Sequence, residues 1–403
     1  MIRRRAFLAG GLAAGAAAAA GRLAGGAAVA AATQAPAADA ALGERFAFDG
    51  THQAGILTPR QPYAIVVAFD AIADTRGQLA DALAALSARA RALAHGYDAL
   101  LGAPGGEGPT PDSGVLGARV TPDGLTVTIG FGASLFDDRY GLAHRRPRGL
   151  KAMPAFPDDA IEPARTHGDV LVQLCANTHE KLLHALRDLM RTTRGALAPR
   201  WKVEGFLPPP QREPGAGRNL LGFKDGTANP DVADAGLMDE LVWTPEGGTF
   251  AVVRIIRNRV EFWDRVARGE QELMIGRDKA HGAPLGRAAE HDDPDYASDP
   301  NGERIPLDAH IRLARPRTPQ SEGSRILRRG YNCSDGVDDA GQLDMGLLFV
   351  AFNRDLARQF EAVQKRLAGE PLVDYVVPVG GGYFYLPPGA RDAQDWVGSG
   401  LFV

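Results

Sequence analysis

Apolar and polar positions along this chain fall into one arrangement that is used twice. In "DVLVQLCANTHEKLLHALRDLM" (169–190) a continuous apolar run gives way, after Asn177, to a helical period. The run predicts a strand. Leu182, Leu183, Leu186, Leu189 and Met190 predict one face of a helix, and Asn177 with Glu180 three residues on predicts a capping box. "MGLLFVAFNRDLARQFEAVQKRL" (345–367) repeats the design, with Asn353 as the expected cap and Leu356, Phe360, Val363 and Leu367 as the stripe. A second pair precedes these. "PYAIVVAFDA" (62–71) leads to a helix carrying Leu79, Leu83, Leu86 and Leu93, and "GTFAVVRIIRN" (248–258) leads to a helical stretch with Phe262, Trp263 and Val266. Further strands fit 124–131, 200–206, 324–332 and 380–387. Each half then reads β-α-β-β-α-β, so the expected class is α+β: two ferredoxin-like domains, each an antiparallel sheet with helices on one face.

The proline- and glycine-rich "LPPPQREPGAGRN" (207–219) separates the halves, predicting domains over 45–220 and 221–403. Within the second half, "HGAPLGRAAEHDDPDYASDPNGERIP" (281–306) is a long polar insertion. Its acidic spacing matches no EF-hand loop, and it reads as a solvated loop.

Length and composition agree with two globular domains: 403 residues, 45% apolar and 23% charged. The first 40 residues, opening "MIRRRAFLAGG", resemble a twin-arginine export signal built on Arg4 and Arg5, with Arg3 where serine or threonine is more usual. The alternative is an alanine-rich anchor that stays in place, which its glycines and modest hydrophobicity disfavour. Small residues near Ala28-Val29-Ala30 could supply a cleavage site. A cut before Asp39 removes four arginines and leaves 41 basic against 49 acidic residues, a net charge of −8. The expected product is exported in folded form to the periplasm or beyond the cell, has no membrane span, and is a poor ligand for nucleic acid. Cys175 and Cys333, the only cysteines, lie in strand-like contexts. They read as two buried thiols, with a disulfide open after export. No Cys-x-x-Cys-His is present, which excludes covalent c-type haem.

Three residues carry the candidate chemistry. Asp225 lies in the glycine-flanked turn "GFKDGTANP" (222–230), His310 opens "HIRLARPRT", and Arg328 lies in "ILRRGYN". A lone histidine is more often a structural hydrogen-bonder than a ligand. Together, however, an imidazole ligand, a carboxylate to move a proton and a guanidinium to steady developing charge suit haem peroxide chemistry. Spacing alone leaves that as one reading among several.

The same segments resemble the dye-decolorizing peroxidases, and more narrowly their exported, iron-uptake-associated branch, over about residue 45 to the end. The Gly-x-x-Asp-Gly signature falls on Gly222, Asp225 and Gly226. "HIRLARPR" is similar to the proximal-histidine segment, "ILRRGYN" to the distal-arginine segment, and "GLLFVAF" (346–352) to the distal wall, where Leu347 and Phe349 would shape the pocket. The resemblance implies one non-covalent haem b per chain, held mainly by the C-terminal half with His310 as axial ligand to the iron. Asp225 and Arg328 would be catalytic. Gly222 and Gly226 would let backbone approach the porphyrin, and Thr227 would also touch the cofactor. Arg312 is the expected propionate partner, and Asp374 in "LVDYVVP" the expected carboxylate behind the histidine.

The implied activity reduces hydrogen peroxide through a ferryl intermediate and oxidises organic donors such as dyes and phenolics. An aspartate base implies an acidic optimum. Trp201, Trp243, Trp263, Trp396, Tyr331, Tyr375, Tyr383 and Tyr385 could relay electrons, although each also reads as core packing. Other readings stay open: a haem-binding, iron-releasing protein without sustained turnover, or a cofactor-free partner of an iron importer. The sequence is compatible with a homodimer.

Overall fold

The computed structural model describes residues 40–100, 110–209 and 213–402. Apart from Ala40, the expected export segment lies outside them. In the first half, β1 (Tyr63–Ala71), α1 (Arg76–His95), β2 (Thr126–Gly132), β3 (Val170–Ala176), α2 (His179–Thr192) and β4 (Leu197–Phe206) follow the predicted order. In the second, the order is β5 (Thr249–Asn258), α3 (Arg268–Ile275), α4 (His310–Ala314), β6 (Tyr331–Val337), β7 (Leu343–Asn353), α5 (Ala362–Leu367) and β8 (Val376–Leu386). The sheets run β2-β3-β1-β4 and β6-β7-β5-β8, all antiparallel. Both have the ferredoxin-like order, so the α+β expectation holds. The two sheets also join edge to edge, β2 to β8 through Phe131 and Gly132, and β4 to β6 at Phe206 and Asn332.

Period-two alternation explains which side chain meets which layer. On β1, Ile65, Val67 and Phe69 pack under the helices of the first half. Ala64, Val66 and Ala68 face a second core, shared with Ala251, Val253 and Ile255 of β5 and Leu348, Val350 and Phe352 of β7. The opposite positions of those two strands, Arg254, Ile256, Leu347 and Phe349, therefore point away from the shared core. They form one wall of a cavity of about 290 Å³.

Both predicted asparagine caps differ from the structure. Helix α2 begins at His179 with Thr178 at its N-cap, while the Asn177 amide donates to Ala41 O and Glu44 Oε2. The chain segment before β1 has captured that side chain. Asn353 ends β7 instead of capping, donating to Phe250 O and Ala351 O, and the Asp355 carboxylate receives the Arg358 amide of the next helical turn. In the predicted stripe of α2, Leu182, Leu186 and Leu189 are buried, whereas Leu183 is exposed. Cys175 and Cys333 are both free thiols.

Candidate active site

His310 is the first residue of α4 and lines the cavity. Its Nδ1 meets the Glu370 carboxylate at 2.8 Å to Oε2 and 3.0 Å to Oε1. A carboxylate only accepts, so Nδ1 carries the proton and Nε2 keeps its lone pair. Among the described residues Nε2 has no hydrogen-bond partner, and His310 is part of the cavity lining. Burial opposes charge on this imidazole, but the adjacent Glu370 outweighs it and raises the pKa above the usual value.

The expected carboxylate here was Asp374, and the structure corrects it to Glu370. The two residues bracket a single turn, Pro371–Asp374, with Glu370 buried at its N-cap. Asp374, at the far end, is exposed, and its carbonyl accepts from Arg259 Nη1 at 3.3 Å.

Asp225 is placed by a loop tied at several points. Its amide donates to Gly217 O, and Asn219 Oδ1 accepts from the amides of Leu221 and Phe223. Glu290 straps the same loop from outside, accepting from Ala216 N, Lys224 Nζ and Thr227 Oγ1 at 3.0, 2.7 and 2.8 Å. Lys224 and Glu290 form a buried ion pair. Glu290 belongs to the polar insertion, so that segment is not merely a solvated loop. It supplies the clamp on the Asp225 loop.

Asp225 Oδ1 accepts from Arg328 Nη1 at 2.8 Å. Arg328 is fixed through its backbone: Asn229 Nδ2 donates to its carbonyl at 2.7 Å, and Asn229 Oδ1 accepts its amide at 3.1 Å. One nonapeptide thus carries the carboxylate and also holds the arginine. Asn229 escaped sequence reasoning although it stands inside the singled-out motif, because a side chain locking a backbone 99 residues away leaves no local signal. Leu347 and Phe349 line the cavity as expected, together with Gly226 and Thr227, whose hydroxyl is engaged by Glu290.

The two signature glycines have different reasons. Gly226 has φ +101° and faces the cavity. Gly222 has φ +86°, and a Cβ there would meet the Lys279 side chain at 2.6 Å. Gly222 does not line the cavity, so the turn demands it, and porphyrin approach does not.

Arg312 also departs from expectation. Its guanidinium donates to Ile305 O and Asp299 O at 2.8 Å each, and to Asp299 Oδ2 at 3.2 Å, which ties down the insertion. The cavity wall instead offers Arg325, whose guanidinium makes no hydrogen bond among the described residues. Its Nε is buried without a partner, and its nearest carboxylate, Glu322, is 3.8 Å away. Burial lowers its pKa. A half-buried guanidinium without a hydrogen bond, on a cavity wall it shares with Arg315 and Arg317, suits an anionic group on a bound molecule. The orphaned Arg325 Nε and the backed imidazole of His310 therefore both fit a haem, one at a carboxylate and one at the iron.

Of the aromatic residues that could relay electrons, Trp201, Trp243, Trp263, Tyr331, Tyr383 and Tyr385 are buried in the cores, while Tyr375 and Trp396 are half-buried. Among the described residues no helix is long and apolar enough to cross a membrane.

Comparison with known proteins agrees with this geometry. Residues 53–207 match the family model "Dyp-type peroxidase, N-terminal" and residues 216–391 match "Dyp-type peroxidase, C-terminal". The chain is 50% identical over 373 residues to the deferrochelatase of Escherichia coli strain K12, an alignment covering 90% of this chain and 88% of that one. Among solved structures, a DyP-type peroxidase from Cellulomonas bogoriensis superposes with a TM-score of 0.80 at 36% identity, over 90% of this chain and 99% of the other. Ferric DtpA from Streptomyces lividans gives the same TM-score and identity, over 90% and 98%. The chain belongs to the Dyp-type peroxidase family, the haem-dependent peroxidases whose two-domain architecture it shares.

Proposed function

We propose that this peroxidase uses one non-covalent haem b per chain, which His310 would hold through the iron, and that it reduces hydrogen peroxide at the expense of organic donors. One observation carries the reading. The His310–Glu370 and Asp225–Arg328 pairs line a single cavity, close enough for the charges of Arg328 and Asp225 to act on the imidazole. When bound, haem supplies an iron that takes peroxide and accepts its oxidising equivalents.

The protein supplies the rest. Glu370 holds the Nδ1 proton, fixing the tautomer and keeping Nε2 free to ligate. Arg328 Nη1 occupies Asp225 Oδ1, and among the described residues Oδ2 accepts no hydrogen bond. Oδ2 is therefore the oxygen that takes a proton from one end of the peroxide and returns it to the other. Arg328 stays protonated throughout and steadies negative charge as the O–O bond opens.

The deciding experiment adds one equivalent of peroxide to haem-loaded protein, wild type beside His310→Ala. The wild-type Soret band should change rapidly and return on addition of a phenolic donor, and the variant should bind haem weakly or with an altered spectrum. Bleaching of the wild type without recovery would refute the reading. A companion measurement separates the two carboxylates behind the histidine: Glu370→Gln should lower activity or iron affinity about 10- to 100-fold, and Asp374→Asn should not.

A second reading, release of iron from haem, is favoured by the similarity to deferrochelatases over nearly the whole chain. Metal-free porphyrin accumulating at the expense of peroxide turnover would place it first. The twin-arginine segment would deliver either activity in folded, loaded form outside the cytoplasm.

A further inference from the structure

Asp225, Gly226, Arg328, Leu347 and Phe349 line a second, smaller cavity of about 30 Å³ as well as the large one. Its charged lining is Arg60, Arg218, Asp225 and Arg328. Arg328 is paired with Asp225, and Arg218 with Glu213 at 2.5 Å. Arg60, exposed at the rim, is different. Among the described residues no carboxylate comes within ion-pairing distance of it, and its guanidinium makes one hydrogen bond, from Nη1 to Gly330 O at 3.2 Å.

An exposed arginine on a loop is ordinarily free to wander, but this one is not. Arg329, which is buried, donates to the carbonyls of Thr58 and Pro59 and to Gln61 Oε1. Gln61 in turn donates to Gly124 O at 3.0 Å. The chain is thus fastened on both sides of Arg60, through the carbonyls of Thr58 and Pro59 before it and the side chain of Gln61 after it. A Cβ added to Gly226 would lie 3.7 Å from Arg60 Nη2, so the guanidinium rests against the loop that carries Asp225. The second arginine of "ILRRGYN" reaches across from the C-terminal half to hold the segment that carries Arg60, and Gly330 O holds the guanidinium itself beside the catalytic pair.

We propose that Arg60, positioned by Arg329, docks the carboxylate or sulfonate of an organic anion at this opening, and so gives the enzyme a preference for anionic electron donors. The cavity has room for only a molecule or two of water size, so the anionic head enters the rim and the donor's ring stays outside it. A held cation with unused donors meets such a head at little ordering cost, whereas a mobile side chain would have to be immobilised first. The donor preference rests on the peroxidase reading, but the anion site does not.

The test therefore has two arms. Benzoate binding is followed by NMR saturation transfer on haem-loaded protein, in wild type, Arg60→Gln and Arg329→Gln, with thermal unfolding confirming that each variant is folded. Wild type should bind, and both variants should bind more weakly. In parallel, KM is measured for para-hydroxybenzoate and for its neutral methyl ester. Arg60→Gln should raise KM for the acid roughly fivefold, as loss of an exposed ion pair implies, and leave the ester within about twofold. Arg60→Glu should raise KM for the acid further. Equal benzoate binding in wild type and Arg60→Gln, or equal KM shifts for acid and ester, would overturn the proposal. Should the wild type oxidise neither donor, the peroxidase reading fails and the benzoate arm alone decides the anion site.

Discussion

Asp225→Asn should abolish most peroxide turnover, slowing the reaction of the haem-loaded protein with peroxide about 10²- to 10⁴-fold, while haem binding survives. The substitution is nearly isosteric. An asparagine Oδ1 can still accept from Arg328 Nη1, as the carboxylate does at 2.8 Å. The loop does not depend on the lost charge, because its ties run through the Asp225 amide, Asn219, and Glu290 with Lys224 and Thr227. What disappears is the proton acceptor at the Oδ2 position, where an amide nitrogen can only donate. Stopped-flow mixing with peroxide reads the loss directly, and the resting Soret band reports whether the cofactor is seated as before. A variant that reacts within about fivefold of wild type would move the proton transfer away from Asp225 and onto solvent.

The fold was legible wherever local periodicity decides structure. Strands such as Tyr63–Ala71 and Thr249–Asn258, and the helix carrying Leu79, Leu83, Leu86 and Leu93, lie where their apolar spacing placed them. The misreadings cluster where a side chain chooses between a local and a distant partner. Asn177 has the spacing of a cap, yet residues 41 and 44 offer it better acceptors. Asp374 was the expected carboxylate and Glu370, four residues before it, was passed over, because only the direction of the turn between them decides which faces His310. Arg312 sits near the histidine in sequence but meets Asp299, which three backbone amides already hold in place. Glu290 looked like one acid in a solvated run, because the lysine that buries it lies 66 residues away. The identities of Asp225, His310 and Arg328 came through resemblance. Their pairing across 103 residues is a tertiary fact.

The largest expected effect on stability lies beneath the cavity, where Asp159→Ala should cost about 3–5 kcal/mol. Arg254 projects from β5 with its side chain 2% exposed, and it pairs with Asp159, which is 1% exposed. The guanidinium lies over the rings of Phe156 and Phe360 at 5.2 and 6.0 Å, and among the described residues its Nε finds no acceptor. Burial already lowers the pKa of Arg254, and Asp159 is the group that offsets it. Without that carboxylate a charge is left in an apolar wall, which costs far more than the pair contributes over an apolar replacement. The double substitution Arg254→Met with Asp159→Leu should therefore recover most of the denaturant midpoint lost by Asp159→Ala alone. The pair also joins the halves, since Asp159 belongs to the first and Arg254 to the second, and the next residues dock on β8 through Ala160 N to Pro378 O and Glu162 N to Val379 O. Because Arg254 lines the cavity, haem affinity should fall with stability in Asp159→Ala. A single variant as stable as wild type would mean that water reaches this guanidinium, and that this wall of the cavity is wetter than its apolar neighbours imply.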